Sequence, residues 1–538
     1  MQWARADADG GVSDKALPPV ADQEYLLLSG VVTGPVSVPW ARRIADALKE
    51  GRYDDLARIP GRLAGCLVTP GKVFLFRNAT APEGLLYRRD GALLRWSTDP
   101  TDLLDEGAEE FDLEAIWRCC RGDDVFVYRD LKPLLPGQVV IADERGTTTA
   151  DFDRIVPLEL PGRPSLAEYA DLAYERILDA VRPYARCGRV GILLSGGLDS
   201  TTVLAALTEV GADVVAYHMV TDDPLADESG YARTVCDHLG VPFVPVPTEL
   251  GDGYLREDWT FPHPFVGFAF RWVEQLAERV GQDQITFLTW GSDGDVVFGP
   301  MRYGLHDALF GELPLGEKVT LCRGLISSRW ELSRILRSAT RRSSLLDDYL
   351  PVGDNVRATD FLVPLPGVPD DSFEYRYSAK DHTMDLTSWW PQGIQRCSPL
   401  GDREVQRVTA RMPNAYRLLL HQGRMISKPV LRLILSTRVP DPVWRRYGRL
   451  WQDSPHKSYT RTHGPVFADL IGAPDSRLVQ MGIVDPARLT EVLAEPALLR
   501  SHGETLICAA MTELFLRGQD DRKAPSGRGE RHAPAAAG

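Results

Sequence analysis

Two glycines flanked by hydroxyls, in Ser195-Gly196-Gly197-Leu198-Asp199-Ser200, close the apolar run Val190–Leu194 and open a helix-forming stretch. Residues of these types in this order suit an anion. Glycines let backbone N–H groups approach oxygen atoms, hydroxyls add donors, and the positive end of a following helix favours negative charge. Neither the GxxxxGK[ST] spacing with its lysine nor GxGxxG is present, which argues against kinase-type and nicotinamide-binding loops. Asp199 would repel a phosphate unless a divalent cation lay between them, so the same residues imply Mg²⁺.

Such a loop needs a parallel strand behind it and a helix ahead. Arg189–Ser195 and Asp213–Val220 read as strands, alternating with helical stretches that begin at Ser200 and Asp227, the pattern of a parallel sheet with crossover helices. Upstream, Ser165 is a plausible cap for the helical stretch Leu166–Ala185. The Pro-rich segment Val156–Pro164 marks an interdomain crossing. Before it, from Glu24 to Asp151, short apolar segments alternate with turn signals and predict antiparallel hairpins, with a helix near Trp40–Glu50. From Arg271 to Arg438 helical patterns dominate. The expected class is α/β, divided into a flexible segment 1–22, a sheet domain 23–155, a nucleotide-binding domain 156–517 and a disordered tail 518–538.

Composition narrows the function. The chain has 538 residues, 44% of them hydrophobic, enough for two or three cores, and a formal net charge of −14, which argues against whole-surface attraction to nucleic acid. The eight cysteines are scattered without CxxC spacing, so neither a zinc ribbon nor a redox pair is expected, and free thiols fit a reducing cytoplasm. No apolar run approaches the ~20 residues that span a bilayer, and no signal peptide is evident.

The SGGLDS segment resembles the PP-loop of ATP pyrophosphatases, which cleave ATP between its α and β phosphates and adenylate a carbonyl oxygen. Further segments follow in the order seen in asparagine synthetase-like enzymes. Thr289–Gly299 resembles the family's second acidic loop, with Asp295 at the metal-binding position. Cys397–Val405 with Arg411-Met-Pro413, Gly423–Arg432 and Val439–Arg445 resemble three later segments, and Lys457 in His-Lys-Ser-Tyr-Thr stands where the family places a catalytic lysine. The resemblance covers Ser165 to Thr462. Between Arg403 and Arg461 there are 13 Lys or Arg against three acidic residues, a local balance that suits a triphosphate, although most such arginines are ordinarily solvated helix faces.

The sheet domain resembles the second half of a glutamine amidotransferase (Ntn-type) domain in Gly61–Val68, Val73–Arg77, Gly84–Tyr87 and Trp96–Asp99. That domain needs an N-terminal cysteine nucleophile, and residue 2 is Gln2. The resemblance therefore implies a degenerate domain without glutaminase activity or ammonia delivery. An adenylating enzyme of this kind takes its amine from the substrate, and the product is a ring. Two branches fit, β-lactam synthetases and lasso peptide macrolactam synthetases. Trp96–Asp99, Lys457–Thr460 and the short first domain favour the second, with a leader-free core peptide as substrate and a leader-binding protein and leader protease as pathway partners.

Carried over position by position, the resemblance implies that Ser195, Gly196, Gly197 and Ser200 hold pyrophosphate oxygens of ATP. Asp199 and Asp295 hold Mg²⁺, Leu193, Val220 and Gly291 border the adenosine, and Lys457 stabilises the oxyanion and leaving AMP. Three departures stand out. Ser292 replaces a larger functional side chain near the reacting carbonyl, Asp293 replaces a glycine, and His382 stands where relatives carry an acid, which leaves the general base unassigned. Asp227 and Glu228 open a helix, with capping the favoured role over contact with nucleotide or metal. Rival functions are an amide ligase acting on a free amino acid, a nucleotide-binding scaffold without catalysis, and an RNA-modifying PP-loop enzyme, for which no RNA-binding segment is visible.

Overall fold

The computed structural model describes residues 25–32, 38–57, 61–104, 111–248, 270–299, 384–446 and 464–523, apart from short stretches within them, and a few short pieces elsewhere. In the first part, strands β1 (Tyr25–Val32), β2 (Gly61–Thr69), β3 (Lys72–Arg77), β4 (Gln138–Asp143) and β5 (Gly146–Asp151) form one antiparallel sheet in the order β5-β4-β3-β2-β1. Side chains alternate across it. Phe74 and Phe76 of β3 face helix α1 (Val38–Lys49), packing with Ile44, Ala45 and Leu48. Leu75, between them, faces Tyr87 and Leu94 of a smaller sheet built from Leu86–Asp90, Leu93–Ser97 and Lys132–Pro133. The period of two in the sequence thus becomes a layered domain. Helix α2 (Leu113–Cys120) follows on its far side, capped by the Asp112 carboxylate.

The second part holds a parallel sheet. Its strands are β6 (Arg189–Leu193), β7 (Asp213–Thr221), β8 (Phe243–Thr248), β9 (Phe287–Trp290) and β10 (Gln395–Cys397), in the order β8-β7-β6-β9-β10. All four pairings are parallel. Helix α3 (Leu166–Val181) starts with a complete Ser165–Glu168 capping box, and α4 (Leu198–Glu209), α5 (Ser229–Leu239) and α6 (Phe270–Gln282) are the crossovers. The helices expected from Ser200 and Asp227 start at Leu198 and Ser229. Val190, Ile192 and Leu194 pack with α3 and α4, whereas Val215, Tyr217 and Leu288 on the opposite face pack with α6.

Three expectations change. Residues 518–523, expected in a disordered tail, belong to the helix Gly503–Lys523, on which Gln519 is buried. Once Leu506, Leu514 and Phe515 dock, adding further turns is inexpensive. Within residues 1–22, Arg5–Ala6 pairs with Val12–Ser13 in a short ladder. The two parts also share one core: Ile116 and Trp117 of α2 lie in the same apolar cluster as Tyr217, Leu288 and the last helix, and the Phe111 and Phe515 rings meet edge-on at 5.5 Å.

Candidate active site

Strand order reverses between β6 and β9, so the chain leaves their carboxyl ends in opposite directions and opens a crevice there. Leu193 and Trp290 stand in register at that edge, which brings the Ser195–Gly197 turn beside the Gly291–Asp293 loop. Gly196 has φ +77°, and a Cβ there would lie 2.9 Å from the Ala232 nitrogen. Only glycine fits both constraints. The Ser195 Oγ lies 3.2 Å from the Ser200 Oγ and accepts the Gly197 N–H at 3.2 Å, so the turn is braced by the hydroxyls expected to meet an anion. Gly291 packs so closely on the first turn of α4 that a side chain would run into the Ser200 nitrogen.

The aspartates expected to hold metal converge. Asp199 leads α4, and Asp295 lies on the short helix α7 (Gly294–Phe298) after β9. The Lys428 ammonium bridges them, 2.5 Å from Asp199 Oδ2 and 2.6 Å from Asp295 Oδ1. Asp295 is largely exposed, while the lysine is buried. Lys428 has φ +55° and directly precedes Pro429, which opens helix α8 (Pro429–Leu435). A non-glycine residue in the left-handed region before proline is strained by about 1–3 kcal/mol. That strain aims the ammonium at the two carboxylates. Among the described residues no third His, Cys, Asp or Glu completes a metal cage. Two carboxylates meeting at one cationic centre still suit Mg²⁺, which commonly takes one or two carboxylates and completes its shell with water and substrate phosphate.

Arg417, which is 1% exposed, ties the short helix that carries Asp295 to its neighbour, donating to the carbonyls of Val297 at 2.5 Å and Thr409 at 2.7 Å. Burial pushes its guanidinium down to about 10. His218, also buried, packs against the residue before the Ser195–Gly197 turn, with Nδ1 2.7 Å from the Leu194 carbonyl. Desolvation holds its imidazole below the ordinary value, opposed by that hydrogen bond.

Other expected residues are placed as follows. Val220 lies near the carboxyl end of β7. Ser292 contributes its carbonyl to the Ser398 hydroxyl at 2.7 Å. Asp293 has φ +67°, which accounts for the glycine expected there, and aspartate is among the few residues that tolerate that conformation. Asp227 accepts the Ser229 N–H at 2.8 Å, and this with the Ser229 hydroxyl lowers its carboxyl. Glu228 makes no side-chain cap; it pairs with Arg446, whose Nη1 also reaches the Gly196 carbonyl at 3.4 Å. Lys457 and His382 lie outside the described residues.

Sequence reasoning missed Lys428, Arg417 and Arg446 as site residues. Lys428 stands inside the quoted segment Gly423–Arg432, and the lysine-proline step was its available signal. Most of the basic stretch is otherwise engaged: Arg438 pairs with Glu209, Arg445 with Asp441, and Arg432 donates to the Ser427, Trp444 and Arg446 carbonyls. A cavity of about 750 Å³ lies between the two parts of the chain, bordered by Arg62 and Thr80 on one side and Trp290, Ser292 and Asp293 on the other.

A family model described as asparagine synthase matches residues 174–517. The chain belongs to the asparagine synthase family. The match takes in Asp199, Asp295, Arg417 and Lys428 together. This asparagine synthase-family chain is also similar to the Microcin J25-processing protein McjC of Escherichia coli, 28% identical over 94 residues, which is 18% of either protein. It thus spans 18% of the length of the curated relative it matches. Among solved structures, the glutamine phosphoribosylpyrophosphate amidotransferase from B. subtilis complexed with ADP and GMP overlaps 43% of this chain and 73% of its own. At 9% identity and a TM-score of 0.20 that overlap carries no argument. Among the described residues no helix is long and apolar enough to cross a membrane.

Proposed function

We propose that this chain is an ATP-dependent amide-forming ligase that closes a macrolactam ring in a peptide, as lasso peptide cyclases do. It would adenylate an Asp or Glu side chain of a leader-free core peptide for attack by the peptide's own N-terminal amine. The observation that carries the reading is the meeting of Asp199, Asp295 and Lys428 beside the Ser195–Gly197 turn. The similarity to McjC supports a peptide over a small amino acid. So does the cavity beside Ser292, within the range of about 300–1,000 Å³ that takes ligands larger than a single side chain.

On this reading Arg189–Glu209 is a PP-loop, and ATP is the second substrate. Backbone N–H groups of Gly196 and Gly197 with the Ser195 and Ser200 hydroxyls bind its pyrophosphate portion, and Leu193, Val220 and Gly291 border the adenosine. Asp199 and Asp295 would hold Mg²⁺, which when bound neutralises charge on the departing pyrophosphate. Lys428 adds a fixed positive charge at the same place, and Lys457 is assigned to the oxyanion and AMP. The substrate carboxylate attacks the α-phosphorus and the bond to pyrophosphate breaks. The amine, once deprotonated, forms the C–N bond as AMP leaves. Holding both ends of one peptide together contributes effective molarity worth on the order of 7–11 kcal/mol when aligned. The first domain, amidotransferase-like by resemblance, lends Arg62 and Thr80 to the cavity and serves as its wall. A leader-binding protein and a leader protease would supply the peptide.

The test is direct. Purified protein with ATP, Mg²⁺ and a leader-free candidate peptide should yield a product lighter by one water, with AMP released. Asp199→Ala and Asp295→Ala should abolish it. Conversion of a β-amino acid instead of the peptide would move the enzyme to the β-lactam branch, and no AMP with any carboxylate would sink the ligase reading.

A further inference from the structure

The Lys428 ammonium stands between the two carboxylates assigned to the divalent cation, within 2.6 Å of each. The lysine is buried and is carried on a strained backbone that no local sequence preference explains. Its backbone is tied at both ends: the Lys428 N–H donates to the Arg417 carbonyl at 2.9 Å, and the Lys428 carbonyl accepts the Arg432 N–H at 3.1 Å. The stem is therefore fixed, and the tip is the part able to move.

We propose that Lys428 is a resident stand-in for the metal, occupying the position between Asp199 and Asp295 until metal and nucleotide arrive together. The inference rests on the metal assignment made above and adds an order of binding to it. The reasoning is electrostatic. Two carboxylates gathered at one point repel each other unless a cation lies between them, and the ammonium supplies that cation with charge-assisted hydrogen bonds. Metal alone would have to break both contacts and leave a buried ammonium without an anion, which is strongly unfavourable. Metal arriving with a triphosphate changes the balance. The phosphates complete the metal's oxygen shell and offer the displaced ammonium a new anionic partner a short swing away. Metal and nucleotide are then coupled, and by linkage each must raise the affinity for the other by the same factor.

The experiment measures binding, with no turnover. Mn²⁺ binding is followed by electron paramagnetic resonance and calorimetry on the full chain, alone and with a non-hydrolysable ATP analogue. Wild type should bind Mn²⁺ weakly alone and at least tenfold more tightly with the analogue. Lys428→Met, which keeps the stem and removes the charge, should bind Mn²⁺ alone at least tenfold more tightly than wild type, and the mutual enhancement should shrink. Lys428→Asn, which tolerates the left-handed backbone, is a second variant should the first not fold. Equal metal affinity in wild type and the folded variant would overturn the proposal, as would tight Mn²⁺ binding by wild type without nucleotide. A different result, no Mn²⁺ bound by wild type even with the analogue, would remove the metal assignment itself.

Discussion

Arg417→Met tests whether the site depends on a clamp far from the crevice. The guanidinium makes two short hydrogen bonds to buried carbonyls, those of Val297 and Thr409, and a longer one of 3.4 Å to Gly299. Hydrogen bonds involving a charged group contribute about 1.5–3 kcal/mol each, so the two short ones amount to about 3–6 kcal/mol. Against this stands the burial of the charge. Displacement from 12.5 to about 10 corresponds to roughly 3 kcal/mol in the opposite direction. Methionine keeps the apolar bulk, so the net loss expected is at most about 3 kcal/mol by denaturant titration. The functional effect should be larger than that figure suggests. Two of the freed carbonyls, those of Val297 and Gly299, lie at the end of the short helix that carries Asp295, and a misplacement of about 1 Å can reduce rate by about 100-fold. Carboxylate-dependent pyrophosphate exchange should therefore fall at least tenfold at temperatures where the variant is still folded. A destabilised variant with full exchange would refute the positioning argument, and an unchanged stability would mean that desolvation of the charge cancels its hydrogen bonds.

Gly196→Ala forces a left-handed conformation that costs about 1–2 kcal/mol and drives a methyl toward the Ala232 nitrogen, so ATP affinity measured by calorimetry should drop about tenfold or more; unchanged affinity would place the nucleotide elsewhere. His218 is held below its ordinary 6.5 by burial, so the unfolded chain binds the extra proton first as pH falls. Its contribution is complete above about 6.5 and is lost progressively below, with Asp227 and Glu228 nearby softening the effect. Thermal melts from pH 7.5 to 5.5 should show a steeper loss in wild type than in His218→Gln, and parallel curves would discount the buried imidazole.

How much of this was legible depended on sequence distance. The strand, turn and helix from Arg189 to Glu209 could be read because all their determinants are local: an apolar run, two glycines and a helix-forming stretch. The hairpins of the first domain were readable for the same reason. Asp295 was reached through its motif. Lys428 was not, although its segment was singled out, because its partner Asp199 lies 229 positions away and nothing in a linear pattern says which basic residue of thirteen turns inward. Arg445 and Arg446 make the point at its sharpest: adjacent and chemically identical, one pairs outward with Asp441 and the other reaches the Gly196 carbonyl. The capping role expected of Glu228 failed for a related reason. Its distant partner Arg446 outcompetes a local backbone contact.

The last helix gives the molecule an architecture that resists dissection. Because Phe515 lies against Phe111 while its neighbours pack in the cluster containing Tyr217 and Leu288, the last described helix is stitched to the first domain as well as to the parallel sheet. Transplanting the leading sheet module from a related ligase, to alter what the crevice accepts, would require the closing helix to travel with it. Folding of such chimaeras thus depends on two separated stretches of the chain acting as one mechanical unit.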